Sequence, residues 1–125
     1  AGAAGLALAE GGCSPWNEKA LRGSMGSLLR LPVALAGVDE LAQAFRDARR
    51  EQVLAVARGG ARYDEHAWSE RSVLWLAAET GALPAALSGI AGVSIPMAGA
   101  AESLNVAVAG SVLLFEAARH RRSRP

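Results

Sequence analysis

Short apolar segments alternate with helix-forming or turn-forming stretches along this chain, and this alternation constrains its fold more than any other feature. Five such segments span residues 5–9, 33–36, 52–57, 72–77 and 93–96. They are apolar at successive positions rather than at every second position, which is typical of strands buried on both faces. The pattern therefore predicts an α/β domain in which a mainly parallel sheet is covered by helices on both faces.

Helical spacing predicts four helices, over residues 18–31, 40–50, 83–87 and 103 to about 121. The first contains Gly23 and Gly26, each of which costs roughly 1 kcal/mol in a helix, and we expect tight packing against a neighbouring element to offset that cost. Asp39 is the expected N-cap of the second helix. The last helix is apolar around its whole circumference, so we expect it to be buried on all sides, with a second subunit covering its outer face.

Composition excludes several classes of protein. The chain has 125 residues and a formal net charge of +1, which predicts one domain without a global field that attracts nucleic acid. Cys13 is the only cysteine; we expect a buried, inert thiol in a cytoplasmic protein and no metal site, because no Cys/His cluster has metal-ligand spacing. The longest apolar run, residues 106–115, is shorter than the ~20 residues that span a bilayer, so no membrane segment is predicted.

Two polar regions allow more than one interpretation. Residues 61–71 carry scattered aromatic side chains without periodicity and predict a loop, in which His66 is expected to be a surface histidine rather than a catalytic base. The basic run over residues 119–124 suits the C-terminal dipole of the last helix. That run fits a solvated terminus and a contact with RNA phosphates equally well.

A ligand edge is expected where the strands end. In parallel sheets ligands bind at the carboxyl ends of the strands, so the turns around Glu79 and Met97 should lie at that edge. Ser103 and Asn105 follow in the expected first turn of the last helix, where unpaired backbone N–H groups converge. Considered alone, Ser103 fits an ordinary N-cap and Asn105 a residue that bonds the preceding loop.

Two stretches resemble motifs of the SpoU-type (TrmH-like) RNA ribose 2′-O-methyltransferases of the SPOUT superfamily. Ile95-Pro96-Met97, followed by Glu-Ser-Leu-Asn-Val-Ala-Val-Ala over residues 102–109 and Leu-Phe-Glu-Ala over 114–117, resembles the third motif of that family. Ser-Pro-Trp-Asn over residues 14–17, with residues 24–33, resembles a recurring stretch of its rRNA branch. The two stretches occur in the expected order, and together with the expected strand pattern between them they cover most of the chain.

The resemblance implies a fold, a cofactor and partners. The fold would be a parallel α/β sheet with a C-terminal trefoil knot. The protein would be a cytoplasmic homodimer whose subunits join through the C-terminal helix. Its substrate would be RNA, and rRNA in particular. The cofactor would be S-adenosylmethionine, whose methyl group is transferred in line to a ribose 2′-hydroxyl. The implied cofactor-binding residues are Ala77, Glu79, Gly81, Ile95, Met97 and Leu104. The residues implied to line the methyl-transfer site and position the ribose are Ser103 and Asn105.

The chain departs from the family pattern in two places. The second motif of the family is usually Gly-Asn/Ser-Glu-Gly-x-Gly, whereas residues 77–82 read Ala-Ala-Glu-Thr-Gly-Ala. Glycines are thus replaced at Ala77, Thr80 and Ala82, which puts cofactor binding by this loop in question. The first motif, which carries the Arg that activates the ribose hydroxyl, has no counterpart, and neither Arg30 nor Arg58 is assigned that role.

These departures define the hypotheses. Residues 1–125 are interpreted as a single, N-terminally incomplete SPOUT methyltransferase domain that contributes the cofactor-binding part of the enzyme. The alternative is a degenerate SPOUT domain that serves as a dimerisation or RNA-binding module without catalysis. The alternating pattern alone also permits a small flavodoxin-like nucleotide-binding domain, which lacks support from any phosphate-binding loop in this sequence.

Overall fold

A computed structural model of the chain describes residues 1–77, 81–99 and 103–123. The order of helices and strands within these residues is β1 (Leu6–Ala9), α1 (Glu18–Gly23), β2 (Val33–Ala36), α2 (Val38–Asp47), β3 (Glu51–Ala55), β4 (Ala61–Arg62), β5 (Ser72–Trp75), β6 (Ala91–Ser94) and α3 (Val106–Arg122). Short 3₁₀ turns occur at Ser27–Leu29 and Ala85–Leu87.

The described strands form two sheets, both parallel. One pairs β1 with β2, and the other has four strands in the order β4-β6-β3-β5. In the larger sheet Val53 of β3 lies opposite Leu74 of β5 on one side and Ala91 of β6 on the other. The predicted α/β class with parallel strands is confirmed. The division into two sheets is not visible in the sequence pattern.

Side chains of β3 pack into a hydrophobic cluster on each face of the larger sheet, because successive residues of a strand point in opposite directions. One cluster contains Val53, Trp68, Val93, Leu113 and Ala117, and the other contains Ala42, Leu54 and Leu87. Since Leu113 and Ala117 belong to α3 and Ala42 to α2, the two helices cover opposite faces. The prediction of helices on both faces is confirmed for this sheet.

The first predicted helix ends much earlier than expected. After Gly23 the chain turns through Met25 (φ 48°) and Gly26 (φ 80°), both in the left-handed region. The helix predicted over residues 18–31 is therefore wrong beyond Gly23. A β-carbon added at Gly23 or Gly26 would meet no atom within 4 Å. The expected tight packing at these glycines is also wrong; Gly26 instead allows the turn.

The environments of Cys13 and Asp39 differ from expectation. Cys13 is exposed, and its sulfur accepts a hydrogen bond from the Asn17 side chain at 2.9 Å. The expected buried thiol is therefore wrong. Gly37 is the N-cap of α2, so the expected N-cap role of Asp39 is wrong. Asp39 lies in the first turn of the helix, where a negative charge interacts favourably with the helix dipole.

The segment predicted as a loop over residues 61–71 contributes to both the sheet and the core. It begins with β4, which pairs with β6 at the sheet edge. Trp68 is 1% exposed, and its indole N–H donates to the Tyr63 carbonyl at 3.1 Å. The His66 ring contacts Trp68 edge-on with 4.8 Å between ring centroids, and only 16% of its side chain is exposed. The expected surface histidine is therefore wrong.

Glu51 links this segment to the amino ends of β3 and β5. Its carboxylate accepts a hydrogen bond from the Ser72 hydroxyl at 2.7 Å, and a second carboxylate oxygen lies 3.6 Å from His66 Nε2. Burial by itself raises the pKa of Glu51, but the hydrogen bonds from Ser72 and Ser69, together with His66, hold it below its ordinary value. The cluster stabilises the sheet at the edge opposite the strand carboxyl ends.

The final helix begins at Val106 rather than 103 and is buried along one side only. Its buried residues are Gly110, Leu113, Ala117 and Ala118. Val108 and Phe115, seven positions apart and hence on the same face, remain 49% and 62% exposed. A single chain thus leaves the outer face of this helix exposed, and the expected cover by a second subunit stays a prediction. None of the described helices is long and apolar enough to cross a membrane.

Candidate active site

A cavity of about 470 Å³ lies at the carboxyl ends of β3, β5 and β6, against the beginning of α3. Cavities of this size accommodate small-molecule ligands. The residues that line it are Ala55, Val56, Ala57, Leu76, Ala77, Val93, Ile95, Met97, Ser103, Leu104, Val106, Ala109 and Leu113. The walls are therefore largely apolar, with polar groups supplied by the backbone and by the Ser103 hydroxyl.

Two residues of α3 shape this cavity through packing. A β-carbon at Gly110 would lie 2.6 Å from a methyl carbon of Leu76, so a larger residue at this position would require the Leu76 side chain to move. Leu113 both lines the cavity and belongs to the buried core, at 1% exposure. The cavity wall is thus continuous with the packed interior, which holds its shape.

The structure brings together most of the residues predicted to bind the cofactor. Ala77, Ile95, Met97 and Leu104 all line the cavity, although Ala77 lies in the connection after β5 and the other three lie between β6 and α3. Gly81 is exposed, has φ 108° and is absent from the lining. Glu79 lies outside the described residues. The roles of these residues in cofactor binding stay predictions.

The two predicted catalytic residues occupy different environments. Asn105 is the N-cap of α3, and its side-chain oxygen accepts hydrogen bonds from the N–H groups of Ala107 (3.0 Å) and Val108 (3.4 Å). Ser103 lies two residues before this cap and contributes to the cavity wall. The ordinary N-cap interpretation is therefore wrong for Ser103, and capping belongs to Asn105. Their catalytic roles stay predictions.

The end of β3 was not among the predicted site residues. Ala55, Val56 and Ala57 line the cavity through a short apolar segment. Side chains of this kind carry no chemical signal, because they contribute shape and backbone groups only. Their place at the carboxyl end of a parallel strand is the one sequence feature that identifies them.

A second recess of about 350 Å³ adjoins the cavity. It shares Ala57, Ile95 and Met97 with the cavity and extends to Arg58, Gly59, Ser94, Pro96 and Gly99. Arg58 is exposed. In the parts of the chain that the structure describes, no group of three or more His, Cys, Asp or Glu side chains could hold a metal ion.

The fold and this site define a class of protein: a parallel α/β domain with a small-molecule cavity at the carboxyl ends of its strands. Over residues 1–115 the chain matches the SpoU rRNA methylase family, and it belongs to that family. The resemblance noted in the sequence is thereby confirmed, and the flavodoxin-like alternative is set aside.

Similar proteins include a 23S rRNA (adenosine(1067)-2'-O)-methyltransferase of Streptomyces laurentii, 38% identical over 128 residues that cover 99% of this chain and 47% of that protein. An AdoMet-bound rRNA methyltransferase from Sinorhizobium meliloti has a TM-score of 0.87 at 34% identity, covering 95% of this chain and 47% of the other. The SpoU methyltransferase AviRb from Streptomyces viridochromogenes, in complex with AdoMet, has a TM-score of 0.88 at 31% identity, covering 98% and 52%. The chain thus spans about half the length of these proteins.

Proposed function

We propose that this chain is the cofactor-binding part of an S-adenosylmethionine-dependent RNA ribose 2′-O-methyltransferase that acts on ribosomal RNA. The observation that carries the proposal is the cavity at the strand carboxyl ends, which gathers Ala77, Ile95, Met97, Ser103 and Leu104. Membership of the SpoU family supports it. So does the similarity to an rRNA 2'-O-methyltransferase and to two methyltransferases solved with AdoMet.

The residues present fit this cofactor. Ile95, Met97 and Leu104 offer an apolar wall against which an adenine ring and an aliphatic chain can bury their surface, at roughly 25 cal/mol per Å². The cavity of about 470 Å³ is of the size that small-molecule ligands occupy. When bound, S-adenosylmethionine supplies an electrophilic methyl group attached to a sulfonium.

Ser103 and Asn105 would act on the ribose by different routes. The Ser103 hydroxyl, at the cavity wall, can donate or accept a hydrogen bond and so orient the substrate. Asn105 caps α3 and thereby fixes the backbone that carries Ser103 and Leu104. Accurate positioning of two reactants can supply a large share of the rate enhancement in a transfer reaction.

We further propose that the protein is a homodimer joined through α3. The exposed face of Val108 and Phe115 supports this arrangement, because large apolar side chains on one helix face gain stability when a partner covers them. An rRNA substrate would place the protein in the cytoplasm. The C-terminal trefoil knot implied by the family likewise stays part of this proposal, as does the assignment of residues 1–125 to one methyltransferase domain.

Methyl transfer tests the proposal directly. The protein, with any sequence that naturally flanks residues 1–125, is incubated with radiolabelled S-adenosylmethionine and 23S rRNA transcribed in vitro. We expect label to enter the RNA in alkali-resistant dinucleotides, which identify ribose 2′-O-methylation. Absence of both labelling and detectable heat on titration with millimolar S-adenosylhomocysteine would overturn the proposal.

A matched pair of serine variants distinguishes a role in methyl transfer from a general effect on helix α3. We expect Ser103→Ala to lower kcat at least tenfold while the affinity for S-adenosylhomocysteine changes little. Ser111→Ala is the control, because Ser111 is exposed on α3 and its hydroxyl donates to the Ala107 carbonyl at 2.8 Å. Equal activity of the two variants would remove Ser103 from the site.

The non-catalytic module is the competing hypothesis, and the replaced glycines at Ala77, Thr80 and Ala82 favour it. It predicts that the unmodified chain binds cofactor weakly or not at all, and that Thr80→Gly combined with Ala82→Gly strengthens binding. Tight binding of S-adenosylhomocysteine by the unmodified chain would remove the basis of this alternative. The named relatives favour the enzyme.

A further inference from the structure

Leu76 is the large apolar side chain of the cavity that stands out by its exposure. Among the residues that the structure describes, it alone both lines the cavity and belongs to the exposed large hydrophobic residues, at 42%. Leu74, two residues earlier in β5, packs against the buried cluster that contains Val53 and Leu113. Apolar side chains therefore continue from the core into the cavity, and the last of them is left partly open to solvent.

The end of the Leu76 side chain rests against α3 at Gly110. A β-carbon added at Gly110 would lie 2.6 Å from Leu76 Cδ1, 3.6 Å from Cδ2 and 3.7 Å from Cγ. Gly110 is buried and lies on the same face of α3 as Val106 and Leu113, which line the cavity. Leu76 thus reaches from the end of β5 to the wall that α3 forms, and a methyl group fills the notch that glycine leaves in the helix surface.

The wall at the end of β3 is fixed in a different way. A β-carbon added at Gly60 would lie 2.6 Å from the Gly92 carbonyl carbon, so the two backbone segments cross in contact. The same β-carbon would lie 2.8 Å from a methyl carbon of Val56, which lines the cavity. Backbone atoms in contact hold this wall in place, whereas a leucine side chain moves by rotation about its own bonds. Leu76 is therefore the adjustable part of the cavity wall.

On these grounds, and resting on the proposed methyltransferase function, we propose that Leu76 is a further cofactor-contacting residue, and that Gly110 is the positioning residue that keeps its side chain out of the space of the cofactor. A ligand in the cavity covers apolar surface of Leu76 that water otherwise contacts, which favours binding in proportion to the area covered. A side chain at position 110 would expel the leucine from its notch into the adjoining cavity and so compete with the ligand.

Calorimetric titration with S-adenosylhomocysteine, arranged as a double-mutant cycle, tests the proposal. We expect Leu76→Ala to weaken binding about five- to tenfold, because most of the apolar contact is lost. Gly110→Ala should weaken binding about tenfold through the displaced leucine. Alanine favours a helix over glycine, so this loss would not come from a weakened α3. In the Leu76→Ala background, Gly110→Ala should change the affinity by less than about twofold, because no leucine remains to be displaced.

A second leucine supplies the matched control, and methyl NMR of the unmodified protein supplies a direct readout of contact. Leu35 lies in β2, is 56% exposed and is absent from the described cavity lining. Leu35→Ala should therefore leave the affinity for S-adenosylhomocysteine within about twofold. The Leu76 methyl signals, assigned by their absence from the spectrum of Leu76→Ala, should shift when the ligand is added, whereas the Leu35 methyl signals should stay in place.

Each contrary outcome has its own meaning. Binding by Leu76→Ala as tight as that of the unmodified protein, or Leu76 methyl signals that stay unchanged at saturating ligand, would overturn this inference alone. An equal loss of affinity from Gly110→Ala in both backgrounds would attribute its effect to α3 itself and remove the positioning role. An unmodified protein that binds no S-adenosylhomocysteine would overturn the proposed cofactor site as well.

Discussion

The β1–β2 sheet with α1 and the four-stranded sheet with α2 and α3 are built from similar apolar segments but differ sharply in packing. Both core clusters draw on residues from Ala42 to Ala117. In the amino-terminal part, α1 buries no residue, and Met25, Leu29 and Leu35 are 90%, 77% and 56% exposed. Among the residues that the structure describes, those that line the cavity all belong to the packed part. A ligand cavity needs walls that keep their shape, and the clusters behind them supply this rigidity.

Removal of a buried leucine should show the difference in packing between the two parts most strongly. Leu113→Ala leaves a void beneath the cavity and should lower the free energy of unfolding by about 2–5 kcal/mol. Leu29→Ala is the matched control in the amino-terminal part, where the side chain is 77% exposed and the loss should stay below about 0.5 kcal/mol. Urea denaturation of both variants checks the difference. Equal losses would show that the two parts are packed alike.

Two glycine variants compare how closely the backbone is packed in the two parts of the molecule. Gly60→Ala places a methyl group against the backbone of Gly92 and should destabilise the protein by about 1–3 kcal/mol. Gly23→Ala fills open space at the end of α1 and should be neutral or stabilising by up to about 1 kcal/mol. Thermal unfolding measures both. A stable Gly60→Ala variant would mean that the crossing of these chains is loose.

Substitutions of Asn105 should have a smaller effect on stability, and they distinguish its role as a helix cap from a role in methyl transfer. Asn105→Ala removes the cap of α3 and should cost about 1 kcal/mol. Asn105→Asp retains an acceptor for the same N–H groups and should restore stability. If Asn105 also touches the ribose, methyl transfer should remain impaired in Asn105→Asp despite normal unfolding. Recovery of both properties would restrict Asn105 to capping.

The sequence pattern predicted the strands and the helices around the larger sheet, because apolar runs such as residues 52–57 have few alternatives to a buried strand. It failed at Met25 and Trp68 for physical reasons. The left-handed turn at Met25 has no signal in its side chain, and Trp68 is anchored through its N–H to the Tyr63 carbonyl rather than by any periodic element. Burial fixed by a single contact of this kind leaves no pattern along the chain.

The candidate site shows the same limit. Ile95, Met97 and Leu104 are apolar, so only their resemblance to a family motif marked them, and Ala55 to Ala57 lacked even that. Ser103 and Asn105 carried a chemical signal, but two polar residues at a helix start fit a cap as well as a site. The structure separates the two, since Asn105 provides the cap and Ser103 the cavity wall.

Backbone NMR during titration with S-adenosylhomocysteine tests most directly whether the packed part alone forms the cofactor site. The amide signals of Ala57, Ala77, Met97 and Leu104 should shift together with a single dissociation constant, because these residues line or border one cavity. Signals from β1 and β2 should remain in place. Shifts confined to residues 1–36, or no shift at millimolar ligand, would contradict the assignment of the cofactor to this cavity.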